Sequence, residues 1–101
     1  MTKQEIKRKL AEAIQRAPHF ADIKSVTVFG SHVNGAATAA SDVDVLIDFD
    51  PTAAIGFFAL SDIKDFLETA LGKPVDLLTP QAISKYFRAR VLAQAETIYE
   101  R

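Results

Sequence analysis

The chain has 101 residues, 49% hydrophobic and 25% charged, and its 12 basic and 13 acidic side chains leave a net charge of −1. That length suits a single domain, residues 1–101, with a small core, and the balanced charge argues against a free-standing nucleic-acid binder, which usually carries a basic patch. The absence of cysteine excludes disulfides, thiolate nucleophiles and cysteine zinc sites, and with neither a run of ~20 apolar residues nor a signal-peptide core the expected compartment is the cytoplasm, away from any membrane.

The first predicted element is a helix. Thr2 and Glu5 form a T-x-x-E capping pattern. Ile6, Leu10, Ala13, Ile14 and Ala17 follow at helical spacing, and Pro18 ends the run. His19 then falls in a connecting loop, where no role is expected of it. Lys24 to Phe29 is β-branched and alternating, which predicts a strand. Gly30 to Ser41 is rich in small residues and reads as a loop with room for a helical turn. Val43 to Phe49 predicts a second strand, closed by Asp50-Pro51.

Ile55 to Leu71 predicts a long helix. Ile55, Phe58, Ala59, Ile63, Phe66, Leu67 and Ala70 form its apolar stripe, and Gly72 stands where a C-terminal glycine belongs. Phe57 and Leu60 flank the stripe, either as extra core or as an exposed patch for a partner; Tyr86 and Tyr99 carry the same ambiguity. Pro74 to Leu78 predicts a third strand. Thr79-Pro80 resembles an N-cap followed by proline at N1, opening a last helix through Ile83, Phe87, Val91, Leu92, Ala95 and Ile98. The expected class is therefore α+β, a mixed α/β arrangement in the order αββαβα.

The chemistry gathers around the first two strands. Asp42 and Asp44 open the second strand eleven positions or more after Ser31. Alternation puts both carboxylates on one face and Val43, Val45 and Ile47 on the other. Two carboxylates ~7 Å apart repel unless a cation lies between them, and Mg²⁺ takes such oxygen ligands together with substrate phosphates. Asp76, inside the third strand, can complete a two-metal site or serve as general base for an attacking hydroxyl. Gly30 lets the backbone approach phosphate closely, and Ser31 adds a hydroxyl donor. Asp48 and Asp50 share the spacing of Asp42 and Asp44 but lack an upstream Gly-Ser, so they read as surface or turn residues. Ser41 caps a local turn or contacts ligand.

The spaced pattern Gly30-Ser31-x-x-x-Gly35-x-Ala37-x-x-x-Ser41-Asp42-x-Asp44 resembles the signature of the polymerase-β-like nucleotidyltransferase superfamily. The short chain, with Asp76 in Lys73-Pro74-Val75-Asp76-Leu77-Leu78, is similar to its minimal branch, which includes the MNT-type antitoxins paired with HEPN-domain toxins. The resemblance runs from Val26 to Tyr99. It implies a palm-like mixed sheet flanked by helices, two Mg²⁺ ions held by Asp42, Asp44 and Asp76, and transfer of NMP from an NTP. Characterised antitoxins of this kind use ATP to adenylylate a tyrosine of the toxin. On the same basis Gly30, Ser31, His32, Asn34, Gly35 and Ser41 are candidate nucleotide-binding residues.

One departure bears on activity. The family usually reads G-S-R-A-R-G in this loop, whereas the chain has His32, Val33 and Asn34 between Ser31 and Gly35. Arginine supplies a permanent charge and a bidentate fork for phosphate, and these residues supply less. The expected function is thus Mg-dependent adenylyl transfer to a HEPN-like toxin. The alternative is an inactive module of the same fold that neutralises its partner sterically.

Overall fold

A computed structural model of the chain describes residues 2–30 and 42–101. Helix α1 spans Lys3–Ile14. It begins as its sequence dictates, because the Glu5 backbone N–H donates to Thr2 Oγ1 at 3.2 Å. The Thr2 hydroxyl donates in turn to Glu5 Oε1, also at 3.2 Å, and hydrogen bonding from Thr2, its hydroxyl first and then its backbone, holds the Glu5 carboxyl below the ordinary glutamate range. Ile6, Leu10, Ala13 and Ile14 form the buried face. His19 adopts a left-handed backbone at φ 62, which turns the chain into a short 3-10 turn, Phe20–Asp22.

Strands β1 (Ile23–Phe29) and β2 (Val43–Phe49) pair antiparallel, with Val28 opposite Val45 and Phe29 opposite Asp44. Helix α2 covers Phe57–Leu71 and ends at Gly72, whose left-handed backbone (φ 69) lets its N–H donate to the Glu68 carbonyl at 2.8 Å. Strand β3 (Val75–Leu78) then runs parallel to β2. Helix α3 spans Lys85–Gln94, and a further strand, β4 (Glu96–Glu100), pairs antiparallel with β1. The four strands lie in the order β3-β2-β1-β4, a mixed sheet. Val26, Val28, Val43, Val45, Ile47 and Val75 face α1 and α2 to make the core. The other face carries Asp44, Leu46 and Asp76 by alternation. No described helix is long and apolar enough to cross a membrane.

The α+β class stands, and three local expectations are corrected. The first concerns the chain's end. The last helix stops at Gln94 and does not reach Ile98, so the described elements run αββαβαβ instead of αββαβα. Ala95 and Ile98 fit a helical stripe, but Glu96 to Glu100 also alternates, and no glycine or proline marks the change. The open edge of β1 decides between them: pairing satisfies its backbone groups. Tyr99 packs on Phe20 with ring centroids 5.3 Å apart, and Glu96 meets Lys3 of α1 at 3.0 Å.

The second correction is at Thr79-Pro80. These residues open a separate 3-10 turn, Pro80–Ala82, with no side-chain cap, and α3 starts later, after Ser84. The third concerns α2. Gly56 is its N-cap, so Ile55 lies before the helix. Its buried residues are Ile63, Leu67 and Leu71, with Leu60 and Phe66 partly buried against the same core. Phe58 stands about 200° around the helix from Leu60 and points outward, as do Phe57 and Ala70.

Candidate functional site

The site forms where β1 ends and β2 begins. Gly30 closes β1 with a positive φ of 79, a conformation that costs glycine little and other residues more. The same glycine lies against the second strand. A Cβ at Gly30 would overlap Asp44 Oδ2 and stand 3.0 Å from Asp44 Cγ. The glycine therefore does two things that sequence spacing alone could not separate: it turns the chain, and it makes room for a carboxylate.

Parallel pairing brings Asp44 beside Asp76, since the two are register partners. Their backbones lie on adjacent strands, about 4.8 Å apart, and alternation turns both side chains to the face opposite the core. Asp44 is half-buried and Asp76 exposed. Asp42 is exposed and immediately precedes β2, and the Val43 N–H beside it donates to the Pro74 carbonyl at 3.0 Å, which fixes the entry of β2 against β3. Asp44 and Asp76 thus lie side by side on one sheet face, and Asp42 immediately precedes the strand at that end. Ser31, His32, Asn34, Gly35 and Ser41 lie outside the described residues.

Among the described residues no group of three or more acidic, histidine or cysteine side chains forms a ready metal cage. The pairing of Asp44 with Asp76 still suits a hard cation in one respect: Mg²⁺ commonly takes one or two carboxylates and completes its shell from substrate phosphate and water. The donors are all oxygen, as such an ion requires.

Asp48 and Asp50 sit at the opposite end of β2. Asp50 is a turn residue, as its place before proline suggests. Its Oδ1 accepts from the Thr52 N–H at 3.0 Å and the Thr52 hydroxyl at 2.7 Å, and its Oδ2 meets Arg101 at 2.8 Å. The Thr52 bonds, with Arg101 behind them, hold its carboxyl below the usual range. A cleft of about 330 Å³ opens there, bordered by Asp48, Phe49, Leu60 and Thr79. It does not include the acids at the start of β2.

Residues 6–99 match the family model of the nucleotidyltransferase domain. A relative from Methanocaldococcus jannaschii, named as a candidate protein adenylyltransferase, is 36% identical over 61 residues, which cover 60% of this chain and 61% of that protein. The protein adenylyltransferase MntA of Thermococcus cleftensis is 33% identical over 72 residues, 71% of each chain. Among solved structures, a minimal nucleotidyltransferase superposes with a TM-score of 0.77 at 28% identity, over 95% of both chains. A complex of tri-AMPylated Shewanella oneidensis HEPN toxin with MNT antitoxin superposes with a TM-score of 0.70 at 17% identity, over 99% of this chain and 74% of that one.

Proposed function

The chain belongs to the nucleotidyltransferase domain family, and from that premise we propose that it transfers AMP from ATP to a tyrosine of a HEPN-fold partner protein, as the antitoxin of a toxin–antitoxin pair. The observation that carries the reading is the register of Asp44 with Asp76, closed on one side by Gly30. The names and partners of the similar proteins support the choice of AMP and of a protein acceptor.

In this reaction the acceptor oxygen bonds to the α-phosphorus, the bond from that phosphorus to the bridging oxygen breaks, and pyrophosphate leaves. Asp42 and Asp44 would hold magnesium, with Asp76 close by; the ion, when bound, supplies charge neutralisation on the triphosphate. Asp76 takes the phenolic proton as the new P–O bond forms. Gly30 keeps bulk away from the Asp44 carboxylate and leaves the backbone free to approach phosphate. Residues 31–41 would supply the contacts to the phosphates, with His32 and Asn34 in place of the usual arginines.

That replacement favours a second reading, in which the same fold binds and blocks its partner without chemistry. Incubation of the complex with α-³²P-ATP separates the two. Label on the partner, lost in Asp44→Asn, supports transfer. No label from wild type, together with an Asp44→Asn strain that still neutralises the partner in a growth assay, establishes steric inhibition instead.

A further inference from the structure

On the sheet face opposite α1 and α2, register partners form a row across three strands. Asp76 of β3 pairs with Asp44 of β2, and Asp44 pairs with Phe29 of β1. Directly paired residues share a face, so a phenyl ring stands beside the two carboxylates. Neighbouring strands lie about 4.8 Å apart, which makes the row roughly 10 Å long. The acids and Gly30 have tasks in adenylyl transfer, and Phe29 has none.

The next stretch of that face is sealed. Thr27 and Leu46 pair with each other two residues further along β1 and β2, and they are 8% and 5% exposed. Helix α3 contacts β1 and the Pro80–Ala82 turn contacts β2, with Ile83, between the two in sequence, buried. Phe29 is half-buried and lies at the boundary, with the sealed section on one side and the carboxylates on the other. A ring left partly in water beside charged groups gains by being covered.

What covers it follows from what the carboxylates hold. With magnesium and triphosphate at Asp42 and Asp44, the α-phosphate lies above the middle of the row. Asp76 and the acceptor hydroxyl occupy the β3 side, which leaves the β1 side to the nucleoside. Leu46 is covered there, and Val43 and Val45 face the core. Among the described residues on the β1 side of Asp44, Phe29 offers the uncovered apolar surface. Every nucleobase has a π-face that stacks on an aromatic side chain.

We propose that Phe29 is the base-contacting residue of the nucleotide site, its ring taking the purine of ATP while Asp42 and Asp44 take magnesium and phosphates. The proposal rests on the nucleotidyl-transfer reading above and adds to it the contact with the base. Stacking reads the face of a base and not its edge, so it favours the larger purines over pyrimidines and separates adenine from guanine only weakly.

The test uses the full chain and three magnesium-bound ligands: ATP, CTP and inorganic tripolyphosphate, which carries phosphates without a base. Calorimetry gives each Kd. Wild type should bind ATP about tenfold more tightly than tripolyphosphate, the contribution of one stacked base, with CTP between them. Phe29→Ala should remove that advantage and leave tripolyphosphate affinity as it was. Phe29→Leu keeps apolar bulk in case alanine unfolds the chain, and it should lose most of the advantage; Phe29→Tyr should keep it. With the HEPN-domain partner present, labelling from α-³²P-ATP by Phe29→Leu should show KM for ATP rising more than kcat falls. A folded Phe29→Leu protein that loses ATP and tripolyphosphate equally overturns the base contact and makes the ring a prop for Asp44. Unchanged ATP affinity in that variant overturns it too, as does a wild type that binds both ligands equally or binds neither. ATP binding that depends on the ring, without any labelling of the partner, keeps the base contact and discards the transfer reaction.

Discussion

Gly30 and Asp44 are in van der Waals apposition across the β1–β2 pair: a methyl group on Gly30 would overlap Asp44 Oδ2 and lie 3.0 Å from its Cγ. Backbone and site are linked at this point. The left-handed turn that ends β1 is also the wall that positions a candidate ligand carboxylate.

Gly30→Ala therefore carries a double penalty. An alanine at φ 79 is strained by about 1–3 kcal/mol, and its methyl must displace the Asp44 side chain. We expect a stability loss of that size in urea unfolding and a larger proportional loss of labelling from α-³²P-ATP. A Gly30→Ala protein that unfolds early but labels at the wild-type rate would show that the Asp44 position is not set by Gly30.

Asp44 and Asp76 are register partners but should fail differently. On the proposed assignment Asp44→Asn removes a magnesium ligand, and with it the metal's hold on the triphosphate, so nucleotide binding and transfer should fall together. Asp76→Asn should leave nucleotide affinity nearly intact and cut transfer by about 10²–10⁴, the usual contribution of a general base. Thermal stabilisation by Mg-ATP reads binding, and single-turnover labelling reads transfer. Equal losses in both measurements for Asp76→Asn would reassign it to binding.

The elements that hold the site were legible because their signals are local. The Thr2 and Glu5 cap, the alternation of Val43 to Phe49 and the glycine after α2 each act over a few residues. The spaced Gly30, Asp42 and Asp44 gave the family. What stayed hidden depends on neighbours distant in sequence. Strand β4 exists because β1 offers an edge 70 residues away, as in the pairing of Val26 with Tyr99 and Thr27 with Thr97. The inward face of α2 is ambiguous in the sequence at Phe58, because the helix's apolar residues are distributed widely enough to support two stripes. Only the contact with β3 and α1 selects the stripe through Ile63 and Leu67. Likewise the pairing of Asp44 with Asp76 requires β3 to lie parallel to β2 in one register, which no spacing within either strand specifies.

Strand β3 is an edge, and Glu68 protects it. Glu68 Oε2 accepts from the Val75 N–H at 2.9 Å, so a donor of the β3 strand is closed by a side chain of α2. Glu68→Ala should cost about 1 kcal/mol for the unpaired N–H, which corresponds to a drop of roughly 4–8 °C in Tm for a domain of this size. Glu68→Gln keeps the acceptor oxygen and should recover most of the loss. Light scattering should show self-association in the alanine variant first, since a bared strand edge invites another chain. Equal melting of the Gln and Ala variants would mean the hydrogen bond contributes nothing.

The last prediction concerns acid. Glu96 at the start of β4 is held below the ordinary glutamate range, first by its hydrogen bond with Lys3 and then by the charges of Lys3 and Lys7, whose Nζ atoms lie 3.0 and 3.8 Å from its oxygens. A carboxyl with a lowered folded pKa favours folding when ionised. That stabilisation is present above the unfolded value of about 4.3 and is lost as pH falls through the lower folded one. Asp50, held down by Thr52 and Arg101, acts with the same sign. Both groups fasten the C-terminal strand, one to α1 and the other through Arg101, so acid should loosen β4 ahead of the rest. Lys3→Met should lower Tm slightly at pH 7, less at high salt because the pair is solvent-exposed. In acid, below the folded pKa of Glu96, where the group is protonated in both proteins, the difference should vanish. A Tm gap between Lys3→Met and wild type that is the same at both pH values would trace the effect to the lysine stem packing on α1, and the ionic tether of β4 would be abandoned.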